Sequence, residues 1–205
     1  MADIDAIMTT APVIPVLVID RVEDAVPIAE ALVAGGLRVL EVTLRTPAAL
    51  DAIRAMSQVD GAIVGAGTVL NPDHLDKAIA AGSSFVVSPG LTPSLGEAAK
   101  SSGVPFLPGV ASASDVMRAL DLGFSRLKFF PATESGGIPA LKALSAVFGE
   151  VRFCPTGGIK LETARDWLAL PSVACIGGSW IVPRGSEVDR RAIAERAAAA
   201  AQLAA

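Results

Sequence analysis

The chain has 205 residues, 52% of them hydrophobic, which is enough for a substantial core and too apolar for an intrinsically disordered segment. Its 17 basic and 21 acidic side chains leave a net charge of −4, and its aromatics are seven Phe, two Trp and no Tyr, so it lacks both the basic footprint and the stacking surface of a nucleic-acid binder. The apolar stretches 11–19 and 173–182 are about half of the roughly 20 residues a membrane-spanning helix needs.

Asp3 and Asp5 stand where a secretory signal would place Lys or Arg, and two cysteines, Cys154 and Cys175, are too few for a disulfide framework. The expectation is a cytoplasmic, soluble protein with a single domain over 1–205. Within it, 1–12 form an N-terminal segment and the Ala-rich 187–205 a closing helix.

Short runs of Val, Ile, Leu and Phe alternate along the chain with stretches of helical period. Strands are expected to start near Val13, Arg38, Ala62, Phe85, Pro105, Arg126, Arg152 and Val173. Their starts lie roughly 20 to 26 residues apart, room for one strand, one helix and two short loops. The segment 22–34 places apolar residues at three-to-four spacing and stops at Gly35-Gly36. Asn71 followed by Pro72 reads as a helix cap with proline at the first helical position. Further helices are expected over 112–122, ending at Gly123, over 138–148, ending at Gly149, and over 161–170 and 187–201.

Eight near-continuous apolar strands alternating with helices imply a parallel sheet with helices on its outer face. An open doubly wound sheet often carries a glycine fingerprint after its first strand, whereas here that strand runs into Ile19-Asp20-Arg21. The α/β fold class expected is therefore a single-domain (β/α)8 TIM barrel of minimal size.

In such a barrel the chemistry gathers where strands end and βα loops begin. Lys128 is the sharpest feature: one of five lysines, it stands within a strand between Leu127 and Phe129-Phe130. It either snorkels to solvent or sits desolvated inside the barrel. Burial disfavours an ammonium, and a neutral amine can attack a carbonyl to form a Schiff base; the alternative is a structural salt bridge. Glu41 and Arg45 end the second strand. They are either members of buried ion pairs or, respectively, a proton shuttle and a planar clamp for a substrate carboxylate. Thr68 could donate a hydroxyl to the same carboxylate. Gly157-Gly158 and Gly177-Gly178-Ser179 follow the seventh and eighth strands, where barrels often bind phosphate through backbone N–H groups.

The sole histidine, His74, opens a predicted helix and is expected on the surface, and the two cysteines are expected to be buried small apolar groups. Neither a zinc site nor a Ser-His-Asp constellation is suggested, and Gly65-Ala66-Gly67 lacks the third glycine of a dinucleotide fingerprint.

Five blocks in order carry a resemblance over most of the chain. They are Glu41-Val42-Thr43-Leu44-Arg45-Thr46, Gly65-Ala66-Gly67-Thr68-Val69-Leu70, Lys128-Phe129-Phe130-Pro131-Ala132, Arg152-Phe153-Cys154-Pro155-Thr156-Gly157-Gly158-Ile159 and Cys175-Ile176-Gly177-Gly178-Ser179-Trp180. Together they resemble the bacterial 2-keto-3-deoxy-6-phosphogluconate (KDPG) and 4-hydroxy-2-oxoglutarate aldolases. The resemblance implies a class I aldolase that needs no metal or other cofactor, a (β/α)8 barrel and a homotrimer. It also implies cleavage of a phosphorylated 2-keto acid to pyruvate and D-glyceraldehyde 3-phosphate in the Entner–Doudoroff pathway. By resemblance Lys128 is the Schiff-base lysine and Glu41 the acid/base. Arg45 and Thr68 hold the pyruvyl carboxylate, and Pro89 and Phe130 shape its pocket. Thr156, Gly157, Gly158, Gly178 and Ser179 receive the far, phosphorylated end.

Two other readings stay open at this level. One is the sister aldolase for the phosphogalactonate epimer, which differs in stereochemistry at C4. The other is a non-catalytic trimeric scaffold on the same fold.

Overall fold

The structure, a computed structural model, describes residues 3–185 and 187–203. After a short helix α1 (Ile4–Met8), strands and helices alternate. The first half runs β1 (Val13–Leu17), a 3-10 turn (Val22–Asp24), α2 (Ala25–Ala34), β2 (Val39–Thr43), α3 (Ala49–Met56), β3 (Ile63–Gly67), α4 (Pro72–Ala80), β4 (Phe85–Val87) and α5 (Pro93–Ser102). The second half runs β5 (Phe106–Leu107), β6 (Gly109–Val110), α6 (Ala113–Asp121), β7 (Arg126–Phe129), α7 (Gly137–Val147), β8 (Arg152–Pro155), α8 (Leu161–Leu168), β9 (Ile176–Gly178) and α9 (Arg190–Ala201).

Every strand pair is parallel. One sheet runs β5-β4-β3-β2-β1-β9 and the other β6-β7-β8. Two features join them into a closed ring. β5 and β6 are halves of one stave interrupted at Pro108, whose carbonyl accepts from the Lys128 N–H at 2.8 Å. β8 and the approach to β9 are linked by the bridges Phe153–Val173 and Thr156–Gly177. The result is an eight-stave (β/α)8 barrel, as the beat of the sequence implies.

The core has two compartments. Between sheet and helices lies the larger one, with Leu40, Val42, Val64, Val86, Leu127, Phe129 and Phe153 turned outward against the helices. Inside the ring lies a smaller one built from Ile14, Val39, Phe85, Val87, Leu107, Cys154 and Cys175. Ile7 and Met8 of α1 join this inner cluster and plug the N-terminal end of the barrel. Arg126 holds α1 in place through a two-pronged ion pair with Asp5, its Nη2 lying 2.7 Å from Oδ2.

The local signals mostly act where the sequence places them. Asn71 accepts from the His74 N–H, and Ser112 with Asp115 forms a reciprocal capping box at the start of α6. Four expectations need correction. Residues 22–24 form a 3-10 turn before the α-helix begins at Ala25. Val173 makes only an isolated bridge, and the regular last strand starts at Ile176. The last helix starts at Arg190, because Asp189 is extended and caps it by accepting from the Ala192 N–H. His74 is half-buried, with Nδ1 shielded from solvent, because it shares the first turn of α4 with Leu75, which docks on the barrel. The helix α1 has too few residues to show a period, and its role is visible only in the fold.

Gly35 does more than end α2. A Cβ there would come within 2.5 Å of the Ala197 Cβ, so its missing side chain lets α9 close against α2.

Candidate active site

The site grows from the alternation of side chains along β2 and β7. In a strand, residues two apart share a face. Val39 belongs to the inner cluster, so Glu41 and Thr43 also face inward, and Arg45 continues the series just past the strand end. On β7 the outward Leu127 and Phe129 leave Lys128 facing inward.

These two staves bring opposite charges together inside the ring. Lys128 Nζ donates to Glu41 Oε1 at 2.9 Å and to Oε2 at 3.2 Å. The two side chains are 6% and 4% exposed, so each is shielded from water and depends on the other for its polar contacts. The amine also lies 5.4 Å from the centre of the Phe130 ring, a cation–π distance.

Three inward glycines make room for this arrangement. A Cβ on Gly67 would lie 2.2 Å from Glu41 Oε1, so the carboxylate occupies the volume a larger residue would fill. At Gly65 the same is true of the Phe85 ring, at 2.5 Å, and at Gly177 of the Thr156 hydroxyl, at 2.2 Å. Below the charged pair sit Cys154, which pairs in register with Lys128, and Cys175. The Cys175 thiol is pushed well up from its ordinary range, first by its hydrogen bond with Cys154, then by burial and by electrostatic interaction with Cys154 and Glu41.

The upper rim carries the remaining candidates. Arg45 is exposed, and its Nε donates to the Thr43 hydroxyl at 3.1 Å; it makes no ion pair among the described residues. Thr68 adopts φ +61°, among the described residues the one non-glycine with positive φ. A β-branched residue there is strained by about 1–3 kcal/mol and persists only if its surroundings impose it. The surroundings do: the Leu44 N–H donates to the Gly67 carbonyl at 2.8 Å, and the Val69 N–H to the Val87 carbonyl at 3.2 Å. Pro89 is pressed on the neighbouring stave, where a Cβ on Gly109 would come 2.2 Å from the Pro89 carbonyl.

The glycine turn after β8 is tied to β7's exit. Gly157 and Gly158 have φ +107° and +71°, values that exclude most side chains. The Thr133 N–H and hydroxyl both donate to the Gly157 carbonyl, at 3.2 and 2.9 Å. A Cβ on Gly157 would meet Phe130 at 3.5 Å, so one ring spans from the buried amine to this turn. Thr156 is buried, with its hydroxyl 3.4 Å from the Cys154 carbonyl. Gly178 is covered by the Trp180 ring, and Ser179 is exposed beside it.

Lys128, Glu41 and Phe130 thus form one connected centre, with Gly157 at its edge. Arg45 and Thr68 stand on the rim above it, and Thr156, Gly158, Gly178 and Ser179 line the exits of β8 and β9. Thr43, Gly67 and Thr133, which hold these groups, carry no role in the sequence expectations, and Gly177 figures there only as part of a phosphate-binding glycine pair. The period-two series Glu41-Thr43-Arg45 and Gly65-Gly67 was the available signal for the first two. A cavity of about 620 Å³ opens elsewhere, between residues 18–24 and the pair Val182 and Val188, and is lined by none of these residues.

Chemically, a buried amine paired with a carboxylate can exchange a proton with it and attack a carbonyl carbon. The comparisons with known proteins give the family. The sequence matches the family described as KDPG and KHG aldolase over residues 4–195. It is 62% identical over 185 residues, 90% of this chain and 89% of the relative, to the 2-dehydro-3-deoxy-phosphogluconate aldolase of Zymomonas mobilis. The crystal structure of the 2-keto-3-deoxy-6-phosphogluconate aldolase of Z. mobilis with 3-phosphoglycerate superposes with a TM-score of 0.96 at 58% identity, covering 98% of this chain and 96% of that one. The KDPG aldolase of Legionella pneumophila, captured with pyruvate as a covalent carbinolamine intermediate, does so at 0.95 and 47%, covering 98% of both chains. The chain belongs to the KDPG and KHG aldolase family.

Proposed function

We propose that this chain is a class I aldolase that reversibly cleaves 2-dehydro-3-deoxy-6-phosphogluconate to pyruvate and D-glyceraldehyde 3-phosphate. The observation that carries the reading is the buried Lys128–Glu41 pair above the apolar cluster inside the barrel. A structural ion pair in that place would add little stability over an apolar replacement, whereas an amine beside a proton acceptor is what imine chemistry needs.

Lys128 passes a proton to Glu41 and its neutral Nζ attacks the C2 ketone, giving a carbinolamine. Glu41 returns a proton to the departing hydroxyl, and water leaves as the iminium forms. The iminium draws electrons from the C3–C4 bond once the C4 hydroxyl loses its proton to Glu41, directly or through water. The aldehyde leaves, and an enamine remains on Lys128. Protonation at C3 and hydrolysis release pyruvate and restore the amine. The lysine supplies the electron sink, so no cofactor takes part.

Around this centre Arg45 and Thr68 receive the carboxylate, and Pro89 and Phe130 wall the three-carbon half. Thr156, Gly157, Gly158, Gly178 and Ser179 receive the phosphorylated half. The carbinolamine captured with pyruvate in the L. pneumophila relative supports the covalent step, and the phosphorylated acid bound to the Z. mobilis relative supports the substrate class. The net charge of −4 does not oppose an anionic substrate, because Arg45, Lys128 and local N–H groups act within the screening length of about 8 Å.

The pyruvyl half is shared with 4-hydroxy-2-oxoglutarate, and cleavage of that substrate belongs to the same reading. So do a homotrimeric assembly, a cytoplasmic location and a place in the Entner–Doudoroff pathway. Among the described residues no helix is long and apolar enough to cross a membrane. The deciding assay compares kcat/KM for the phosphogluconate and phosphogalactonate epimers. A clear preference for the former is expected, and a preference for the latter overturns the substrate assignment.

A further inference from the structure

Arg45 reaches over the mouth of the barrel from just beyond the end of β2, and it is exposed. A long exposed side chain samples many rotamers, so a useful clamp needs something to hold it before substrate arrives. What holds it here is one buried hydroxyl. Thr43 is 1% exposed and shares the inward face of β2 with Glu41. Its Oγ1 donates to the Leu17 carbonyl on the neighbouring stave at 2.9 Å and accepts from Arg45 Nε at 3.1 Å.

The order of these two bonds is fixed by chemistry. A hydroxyl has one proton and two lone pairs, and a carbonyl can only accept. The Leu17 carbonyl therefore takes the threonine proton, and a lone pair is left for Nε–H. Rotating the hydroxyl away would give up its bond to that carbonyl and leave its own proton unpaired in a buried place. Its methyl branch restricts χ1 further. Register supports the same arrangement, since Leu17 pairs with Val42, the residue before Thr43.

We propose that Thr43 is a positioning residue for substrate binding: it occupies Nε of Arg45 and presents the two terminal Nη nitrogens to the substrate carboxylate. An arginine can receive a carboxylate either on its side, through Nε and one Nη, or on its end, through both Nη groups. With Nε taken, only the end-on mode is open. With its proton committed to the Leu17 carbonyl, Thr43 has no donor left for the carboxylate and acts through Arg45. This inference rests on the aldolase reading and on the role assigned to Arg45 within it.

The test measures the pyruvate concentration that half-saturates borohydride trapping of the Lys128 imine, together with kcat and KM for cleavage. The proteins compared are the wild type, Thr43→Val, Thr43→Ser, Arg45→Lys and the double variant Thr43→Val/Arg45→Lys. Thr43→Val keeps the shape and removes both bonds. It is expected to raise the half-saturating pyruvate and KM about 10-fold, the scale of a hydrogen bond to a charged group, with kcat within about 3-fold of wild type. Thr43→Ser keeps the hydroxyl and is expected to restore near-wild-type values. Arg45→Lys lacks Nε, so adding Thr43→Val to it is expected to change little.

Should Thr43→Val fail to fold, Thr43→Cys serves in its place, since a thiol still donates weakly to Leu17 but accepts poorly from Nε. The inference is overturned if Arg45→Lys weakens pyruvate binding while Thr43→Val and Thr43→Cys do not, if Thr43→Ser is as impaired as Thr43→Val, or if the two effects multiply in the double variant. Unchanged binding in Arg45→Lys removes the clamp itself and the inference with it. Failure of the wild type to trap pyruvate at all strikes the aldolase reading instead.

Discussion

Lys128 and Glu41 face each other across the barrel interior, Nζ to Oε1 at 2.9 Å, each almost wholly withdrawn from water. Lys128 comes from β7 and Glu41 from β2, and the space for the carboxylate is left by a glycine on β3. Three separate staves therefore contribute to one buried ion pair. Removing one partner strands the other charge in the interior, a loss of about 3–5 kcal/mol.

Lys128→Met is expected to abolish turnover and imine trapping and to lower stability by about that amount. Adding Glu41→Gln is expected to recover part of the stability and none of the activity. Denaturant unfolding beside the cleavage assay checks both, and substantial residual cleavage by Lys128→Met removes the residue from the mechanism.

Glu41→Gln keeps the shape of the side chain and loses its ability to carry a proton. Turnover is expected to fall roughly 10²–10⁴-fold while trapped pyruvate still accumulates on Lys128. Single-turnover measurements separate the slowed proton transfers from binding.

Gly67→Ala is expected to push the Glu41 carboxylate away from the amine, since the new Cβ would stand 2.2 Å from Oε1. The variant should lose about 1–3 kcal/mol of stability and at least about 10-fold in kcat, with KM changed less. Near-wild-type kcat in Gly67→Ala would show that Glu41 need not sit where it does.

The latch between Asp5 and Arg126 gives a pH dependence of known sign. The Arg126 guanidinium, hydrogen-bonded to Asp5, holds its carboxyl below the usual 3.8. The contribution is present in full above the unfolded value and is lost as pH falls below about 4 toward the lower folded value. Asp5 is 48% exposed, so solvent screens the pair to at most about 1 kcal/mol. Asp5→Asn is expected to flatten the stability profile below about pH 4 and leave it unchanged in shape near neutrality.

Both thiols are expected to resist alkylation in the folded protein at neutral pH, because Cys154 and Cys175 are buried and the Cys175 thiolate is disfavoured by its neighbours. Mass spectrometry after iodoacetamide treatment should find neither modified before unfolding and both after. Rapid labelling of either in the native state would contradict the packing of the inner cluster.

Most of the barrel was legible in the sequence because its strands are buried on both faces and read as unbroken apolar runs separated by glycine and proline turns. Lys128 stood out for the same reason, a charge where the pattern demands an apolar side chain. What the sequence hid was of two kinds. The stave split at Pro108 and the late start of β9 depend on pairing partners that lie far along the chain. The supports of the site, Thr43, Gly67, Gly177 and Thr133, are small residues whose meaning is the space or the single bond they give to a neighbour on another stave. Their types are common in strands and turns, so only the ring geometry shows what each one serves.

The most direct test of the account is the mass of the protein after incubation with pyruvate and borohydride, followed by peptide mapping. The account predicts a single reduced pyruvyl adduct, located on Lys128 and absent from Lys128→Met. No adduct on the folded protein, or an adduct on another lysine, would contradict the central claim that the buried amine of the Lys128–Glu41 pair is the nucleophile.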